Sequence, residues 1–334
     1  MFKFIDLFAG IGGFRIAFEE AGGQCVFSSE IDSHAKEVYE KNFKDEPYGD
    51  ITKIPSSNIP DHDVLCAGFP CQPFSIGGYR KGFEDTRGTL FFEIARIIRD
   101  KQPSAIILEN VSGITSHDHG KTIDTIMNTL DELGYHAEFK IMNAKDYGVP
   151  QNRNRWYCVG FKKGLGVLFN QSPKKPDNSS QLIFEFPNTK ELEFTLNEII
   201  SDKEIKEYEV SQKAQENIEK FLEEFKGSDK YNDDYPIIAN NIRPSRCHLS
   251  STGISPCLTA KMGTGGNNIP VVVKHKRKLT EKECLKLMGF PEWFDIKPNN
   301  QQSYKQIGNS VVVPVISSLA TRIAEVLQKT KLLV

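Results

Sequence analysis

Apolar positions in the first half of the chain alternate between two periods. Residues 3–9 (KFIDLFA) form a short apolar run that predicts a strand. Residues 13–23 (GFRIAFEEAGG) place Phe14, Ala17, Phe18 and Ala21 at i, i+3, i+4 and i+7 and end on glycines, which predicts a helix. The alternation continues with a strand at 24–32 and a helix at 33–43, for which Ser33 is the candidate N-cap. Further strands are expected at 63–70 and 104–111, helices at 89–100 and 122–134, and a pair of strands at 137–144 and 155–161. Strands separated by helices predict βαβ units, so the expected fold class is α/β with a doubly wound parallel sheet.

The pattern weakens after Lys162. Residues 165–188, rich in Pro, Asn, Ser and Lys, read as a linker. Residues 189–227 look helical and charged, and 236–276 read as loops and short strands. A helix closed by Gly289 is expected at 279–289, and a final amphipathic helix at 311–327, starting near Pro314.

A length of 334 residues exceeds one ordinary core and suits two domains. No run of 18 apolar residues is present, so no membrane span is expected, and the N-terminus lacks the features of a signal peptide. A cytoplasmic location follows as the default. The seven cysteines contain no CxxC pair, which supports neither a zinc site nor a disulfide framework. The net charge of -2 does not advertise a polyanionic partner, but its distribution is uneven. Residues 189–234 hold fourteen acids against seven bases, whereas 236–280 hold seven Lys or Arg and no acid. That basic stretch suits either a phosphate backbone or plain solvation.

Four segments carry chemistry. The loop Phe8-Ala9-Gly10-Ile11-Gly12-Gly13 joins the first strand to the first helix, where nucleotide-bearing cofactors bind in such folds. Arg15 stands where the dinucleotide fingerprint needs its third glycine. Asp6, just before the loop, would repel a pyrophosphate and suit a cationic cofactor such as S-adenosylmethionine. Glu30, ending the second strand, suits ribose hydroxyls, and Asp50 sits near the end of the next unit. In Gly68-Phe69-Pro70-Cys71-Gln72-Pro73, a cysteine between prolines leaves the carboxyl end of a strand, a place for a preorganised nucleophile. Cys66, inside the apolar strand, reads as structural. Glu109 ends the strand 104–111 and would open onto the same crevice as Cys71 if the two strands are neighbours. Arg153 and Arg155 alternate before a strand, should project to one side, and suit a phosphate or a base carbonyl.

These segments, with GDIT (49–52), DTRGTLFFEIARI (85–97), RKLTEKECLKLMGFP (277–291) and QSYKQIGNSVV (302–312), resemble the ordered motifs of the DNA cytosine-5 methyltransferase family. The length is similar to that of the bacterial restriction–modification members. The resemblance implies a Rossmann-like methyltransferase sheet over 1–170 plus 302–334, a smaller, irregular target-recognition domain over 171–280, and a hinge at 281–301. It implies Cys71 as the nucleophile toward C6 of cytosine, Glu109 as the acid at N3, and Arg155 with Arg153 as residues steadying the base. Phe8, Gly10, Gly12, Glu30, Asp50, Pro70, Leu90, Asn309 and Val311 match positions for the cofactor S-adenosylmethionine, which would leave as S-adenosylhomocysteine. No metal is implied. The implied partner is double-stranded DNA, with Gln72, Arg243, Arg246 and Lys261 as candidate contacts and Lys274, Lys276, Arg277 and Lys278 as phosphate contacts or solvated charges. A cognate restriction endonuclease and a monomeric state are the family expectations. In SPCLTA (255–260), Cys257 stands where the family usually has threonine before the leucine.

Three alternatives stand beside this reading. A transfer-RNA cytosine methyltransferase would share the fold, but GFPC and the glycine-rich basic segment favour DNA. An inactive relative should have lost Cys71 or Glu109. A nicotinamide-dependent oxidoreductase is opposed by Arg15 and by the Pro-Cys loop.

Overall fold

Six strands, β1 (Phe2–Leu7), β2 (Gly23–Ser29), β3 (Val64–Gly68), β4 (Ala105–Val111), β5 (Tyr135–Asn143) and β6 (Asn154–Lys162), form one sheet in the order β2-β1-β3-β4-β6-β5. The computed structural model describes residues 1–70, 90–170, 182–202, 205–264, 268–298 and 300–332. Helices α1 (Gly13–Glu20), α2 (Ser33–Phe43), α3 (Leu90–Lys101) and α4 (Lys121–Glu132) connect the strands. Strand alternation sorts the side chains into two cores. Phe4, Val64, Cys66 and Ile107 face α1 on one side, while Ile5, Leu65, Ala67 and Leu108 face α3 and α4 on the other.

The sheet is parallel from β2 to β4. The expected parallel order changes at β6, which runs antiparallel to both β4 and β5. The segment between β5 and β6 is too short for a crossover helix, so the chain returns at once and slots β6 between β4 and β5. The N-cap of α2 is Asp32 rather than Ser33: the Asp32 carboxylate accepts the N–H groups of His34 and Ala35. The chain leaves β1 toward β2 on one side and later places β3 on the other. That reversal opens a crevice at the carboxyl ends of β1 and β3.

The described ends of the expected linker are not plain coil. β7 (Val167–Phe169) and β8 (Leu182–Phe184) pair in parallel, and Phe161, Phe169, Phe184 and Phe186 pack ring against ring. In the charged stretch that follows, α5 (Leu196–Ile199) and α6 (Gln212–Lys226) are the α-helices among the described residues. β9 (Ile238–Arg243), β10 (Arg246–Ser250), β11 (Val271–Val272) and β12 (Arg277–Lys278) build a second sheet, ordered β10-β9-β11-β12. α6 covers this sheet through a small core of Val210, Ala214, Ile218, Ala239, Ile242 and Val271.

The helices α7 (Glu281–Leu287), α8 (Gln301–Asn309) and α9 (Val313–Leu332) complete the chain. α8 carries no apolar period in the sequence, because its opening Gln301-Gln302-Ser303 and the later Lys305 and Gln306 mask a buried face of Tyr304, Ile307 and Gly308. The stretch Gln301–Thr330 contains an 18-residue window apolar enough, by length and composition, to cross a membrane, but 67% of that window is buried inside the fold. The stretch between α7 and α8 is pinned to the large sheet's helices: Asn42 exchanges two hydrogen bonds with the backbone of Asp295, at 2.8 and 2.7 Å.

Arg277 corrects one expectation. It neither solvates nor faces phosphate, because it is fully buried and bidentate to Glu283 at 2.9 and 2.8 Å. Glu283 also completes the capping box of α7 with Thr280. Removing one partner of a buried ion pair strands the other, so Glu283→Ala should cost about 3–5 kcal/mol. Urea unfolding checks this. A loss no greater than that of exposed Lys274→Ala would show the pair to be unimportant.

Candidate active site

The crevice is a cleft of about 410 Å³ at the carboxyl ends of β1, β2, β3 and β4. Its lining gathers Phe8, Gly10, Glu30, Asp50, Pro70, Leu90, Glu109, Arg153, Arg155 and Asn309, which are far apart in the chain. Two expected cofactor positions, Gly12 and Val311, lie behind the wall. Gly12 caps α1 at φ 91°, and a Cβ there would sit 2.3 Å from the Phe43 ring, so glycine lets α2 approach the loop. Val311 packs against Gly13 from the far side. Cys71 and Gln72 lie outside the described residues. Arg243, Arg246 and Lys261 are half-buried or exposed on the second sheet and the turn after it, away from the cleft lining.

The first loop is shaped by left-handed backbone at Phe8 (φ 58°), Gly10 (φ 56°) and Gly12. For Phe8 this conformation is strained, and it puts the ring on the cleft wall. Glu30 holds the loop in place by accepting the N–H of Gly10 at 2.8 Å with one oxygen and that of Asp32 at 2.7 Å with the other. Asp50 accepts the N–H and hydroxyl of Thr52, and those bonds keep its carboxyl below its ordinary pKa. Asp6 departs from expectation. It shares the Phe4 face of β1, is fully buried against α1, and does not line the cleft. Burial pushes its pKa well above the usual carboxylate range, which disfavours the charged form.

β3 and β4 are neighbours, with Gly68 directly opposite Glu109. The Asn110 amide donates to the Phe69 carbonyl at 2.8 Å and so anchors the segment that runs into the Pro-Cys loop. Glu109 is 8% exposed. Arg155, from β6, reaches it at 3.3 Å. Burial raises the Glu109 pKa, and the attraction of Arg155 and then Arg153 opposes it without cancelling it.

Arg153 and Arg155 part company. Arg153 is 2% exposed, and its guanidinium donates to the carbonyls of Leu258, Gly308 (3.1 Å) and Ser310 (2.7 Å). Those bonds tie Arg153 to the backbone, while its buried Nε keeps no hydrogen-bond partner among the described residues. A buried guanidinium without such acceptors would be very costly.

Several lining residues escaped the sequence reading. Ile31 is a 72% exposed apolar side chain on the cleft wall. Ser29 and Gln306 line the cleft, and each keeps a buried side-chain oxygen with no hydrogen-bond partner among the described residues. Lys305 reaches Asp32 across the cleft rim at 3.1 Å. Single residues of ordinary type in loops and on an unpredicted helix leave no periodic signal. For Ile31 and Asp32, only their position just after Glu30 offered a hint.

The fold is shared with solved structures. A mutant of DNMT2 from Spodoptera frugiperda superposes with a TM-score of 0.70 at 22% identity, covering 97% of this chain and 99% of that one. The chain belongs to the C-5 cytosine-specific DNA methylase family, whose sequence model matches residues 2–325, and is thus a DNA cytosine-5 methyltransferase. Type II methyltransferase M.HhaI of Haemophilus parahaemolyticus is 42% identical over 96% of this chain and 94% of its own. Type II methyltransferase M.HpaII of Haemophilus parainfluenzae is 44% identical over 97% and 89%. The match to a family of DNA enzymes does not favour the transfer-RNA alternative.

The raised pKa of Glu109 makes the folded state hold its proton longer than the unfolded chain does. Between the ordinary Glu value of about 4.3 and the raised one, folding binds protons, so stability falls as pH rises and then levels off. Glu109→Gln should remove that slope. Thermal unfolding from pH 4 to 8 reads it: an identical pH profile for both proteins would contradict the assignment.

Proposed function

We propose that the protein transfers a methyl group from S-adenosylmethionine to C5 of a cytosine flipped out of a short duplex target, through a covalent Cys71–C6 adduct. The observation that carries this reading is the pairing of Glu109 with Arg155 beside Pro70, over a cleft walled by Phe8, Glu30 and Asp50. The lining fits the cofactor. The apolar side chains of Phe8, Ile31, Ile51 and Leu90 suit a purine, and the carboxylates of Glu30 and Asp50 accept hydroxyl and amino protons. When bound, the cofactor supplies an electrophilic methyl on a sulfonium.

The chain's residues do the rest. The Cys71 thiolate forms a bond to C6, and the C5=C6 electrons move into the ring, making C5 nucleophilic. Glu109, whose protonated form burial favours, donates to N3 and stabilises the displaced charge. Arg155 holds the Glu109 carboxyl in place. After methylation, loss of the C5 proton to a base expels Cys71 and restores the ring. A base inside a duplex cannot be reached, so the cytosine must leave the stack at a cost of a few kcal/mol.

The second sheet suits the DNA side. Arg243 and Arg246 face each other across the β9–β10 turn, a like-charge pair that costs stability unless an anion lies over it. Lys261 follows on an exposed turn. Asp202 already pairs with Lys274, which leaves less of the basic stretch free than its composition suggests. The setting is that of a type II restriction–modification enzyme: a monomer in a bacterial cytoplasm, paired with an endonuclease for the same site.

Bisulfite sequencing of genomic DNA incubated with the protein and S-adenosylmethionine tests this. The native chain should mark cytosines in one short motif, and Cys71→Ala should mark none while still binding the cofactor. Methylation by Cys71→Ala would sink the covalent route.

A further inference from the structure

An open sheet has two edges, and each presents backbone N–H and C=O groups that another chain can meet. At one edge of the large sheet the end of β2 is covered. Tyr48 donates its N–H to the Ser28 carbonyl and accepts that of Glu30, both at 2.8 Å. The other edge is β5, a strand of nine residues that pairs with β6 alone among the described residues. Native edges of that length are usually broken by a proline, a bulge or an inward-pointing charge. β5 has no proline, and its register with β6 runs without a shift from Tyr135 to Asn143.

The middle of β5 is apolar on one face and charged on the other. Phe139 and Ile141, each 39% exposed, follow Ala137 on the face shared with Trp156 and Cys158. Glu138 and Lys140 stand on the opposite face, and neither side chain has a hydrogen-bond or ion-pair partner among the described residues. Partial burial raises the Glu138 pKa with no cation opposing it. This spacing is self-complementary. Turned about a two-fold axis at Phe139, a second β5 runs antiparallel to the first. Glu138 then faces the partner's Lys140, Lys140 faces the partner's Glu138, and Phe139 and Ile141 meet the partner's Phe139 and the partner's Ala137. Other registers fail. An axis at Glu138 sets acid on acid, and one at Lys140 sets ammonium on ammonium. An axis between Phe139 and Lys140 turns the charged face of one strand onto the apolar face of the other.

We infer that β5 is a docking edge for a second copy of this chain, which joins two six-stranded sheets across a two-fold axis through reciprocal Glu138–Lys140 pairs. The cleft lies at β1 to β4, away from this edge, and stays open. β5 runs in the same direction as β4, so the antiparallel join points the two clefts toward opposite ends of the combined sheet. Each copy keeps a complete site. The single chain therefore remains the catalytic unit, and the monomer is its dilute form. A contact of five residues a side belongs to the small, weak class of interfaces.

Sedimentation velocity of the full chain, without DNA, tests this over about 1–200 μM, the range in which so small an interface assembles. The native chain should move from monomer to dimer. Glu138→Lys and Lys140→Glu should each weaken dimerisation by ~10-fold or more, because either change sets two like-charge pairs in one interface. Circular dichroism matching the native chain shows that both variants fold. An equal mixture of the two variants should dimerise again, since an edge of two cations then meets an edge of two acids. A native chain that stays monomeric throughout overturns the inference. So does a dimer that both variants leave intact, or a mixture that associates no more tightly than its parts.

Discussion

A guanidinium cut off from water has to find its acceptors inside the protein, and Arg153 finds them on two segments far away in the chain. One is Leu258, in the stretch leading out of the second sheet. The other is the Gly308–Ser310 junction between α8 and α9. Gln151 reinforces the first contact: its amide oxygen accepts the Leu258 N–H at 3.0 Å, and its amide nitrogen donates to Leu287 at 2.8 Å. The approach is so close that a Cβ on Gly308 would come within 2.2 Å of the Thr259 backbone. The wall of the cleft formed by Lys305, Asn309 and Ser310 stands where it does because this buried charge needs those carbonyls. The same contacts tie the stretch between β10 and β11 to the cleft.

The cleft holds carboxyls whose surroundings push them in opposite directions. Burial raises Glu109 against the pull of two arginines, which suits a proton donor. Asp50 is lowered by the Thr52 hydroxyl and N–H. In Asp32, desolvation raises the pKa, but hydrogen bonds from Lys305, Ala35 and His34 outweigh it and lower the value. The cleft thus sets one acid whose protonated form burial favours beside others held as acceptors.

Charge in the basic stretch follows burial rather than composition. Within a stretch of seven cations and no acid, Arg277 is consumed by a buried pair with Glu283, and Lys274 by Asp202 on a neighbouring segment. Arg243, Arg246 and Lys261 remain at the surface. The acidic segment before them thus tempers a basic one, and the net charge of the chain conceals both.

The repeated strands and helices of the first half were legible in the sequence because each buries one face, and burial imposes a period of two or near 3.6. The glycine loop, Glu30, Asp50, Pro70 and Glu109 were legible as well, because chemistry at the carboxyl end of a strand sits in short, unusual segments. Direction and facing were not. The reversal of β6 depends on where a short return can fit, and the burial of Asp6 depends on which face of β1 it occupies. The roles of Arg153, Arg277 and Lys305 were decided by partners 105, 6 and 273 residues away. Residue type announces a charge, but only the tertiary fold determines whether that charge meets a carbonyl, a carboxylate or an open cleft.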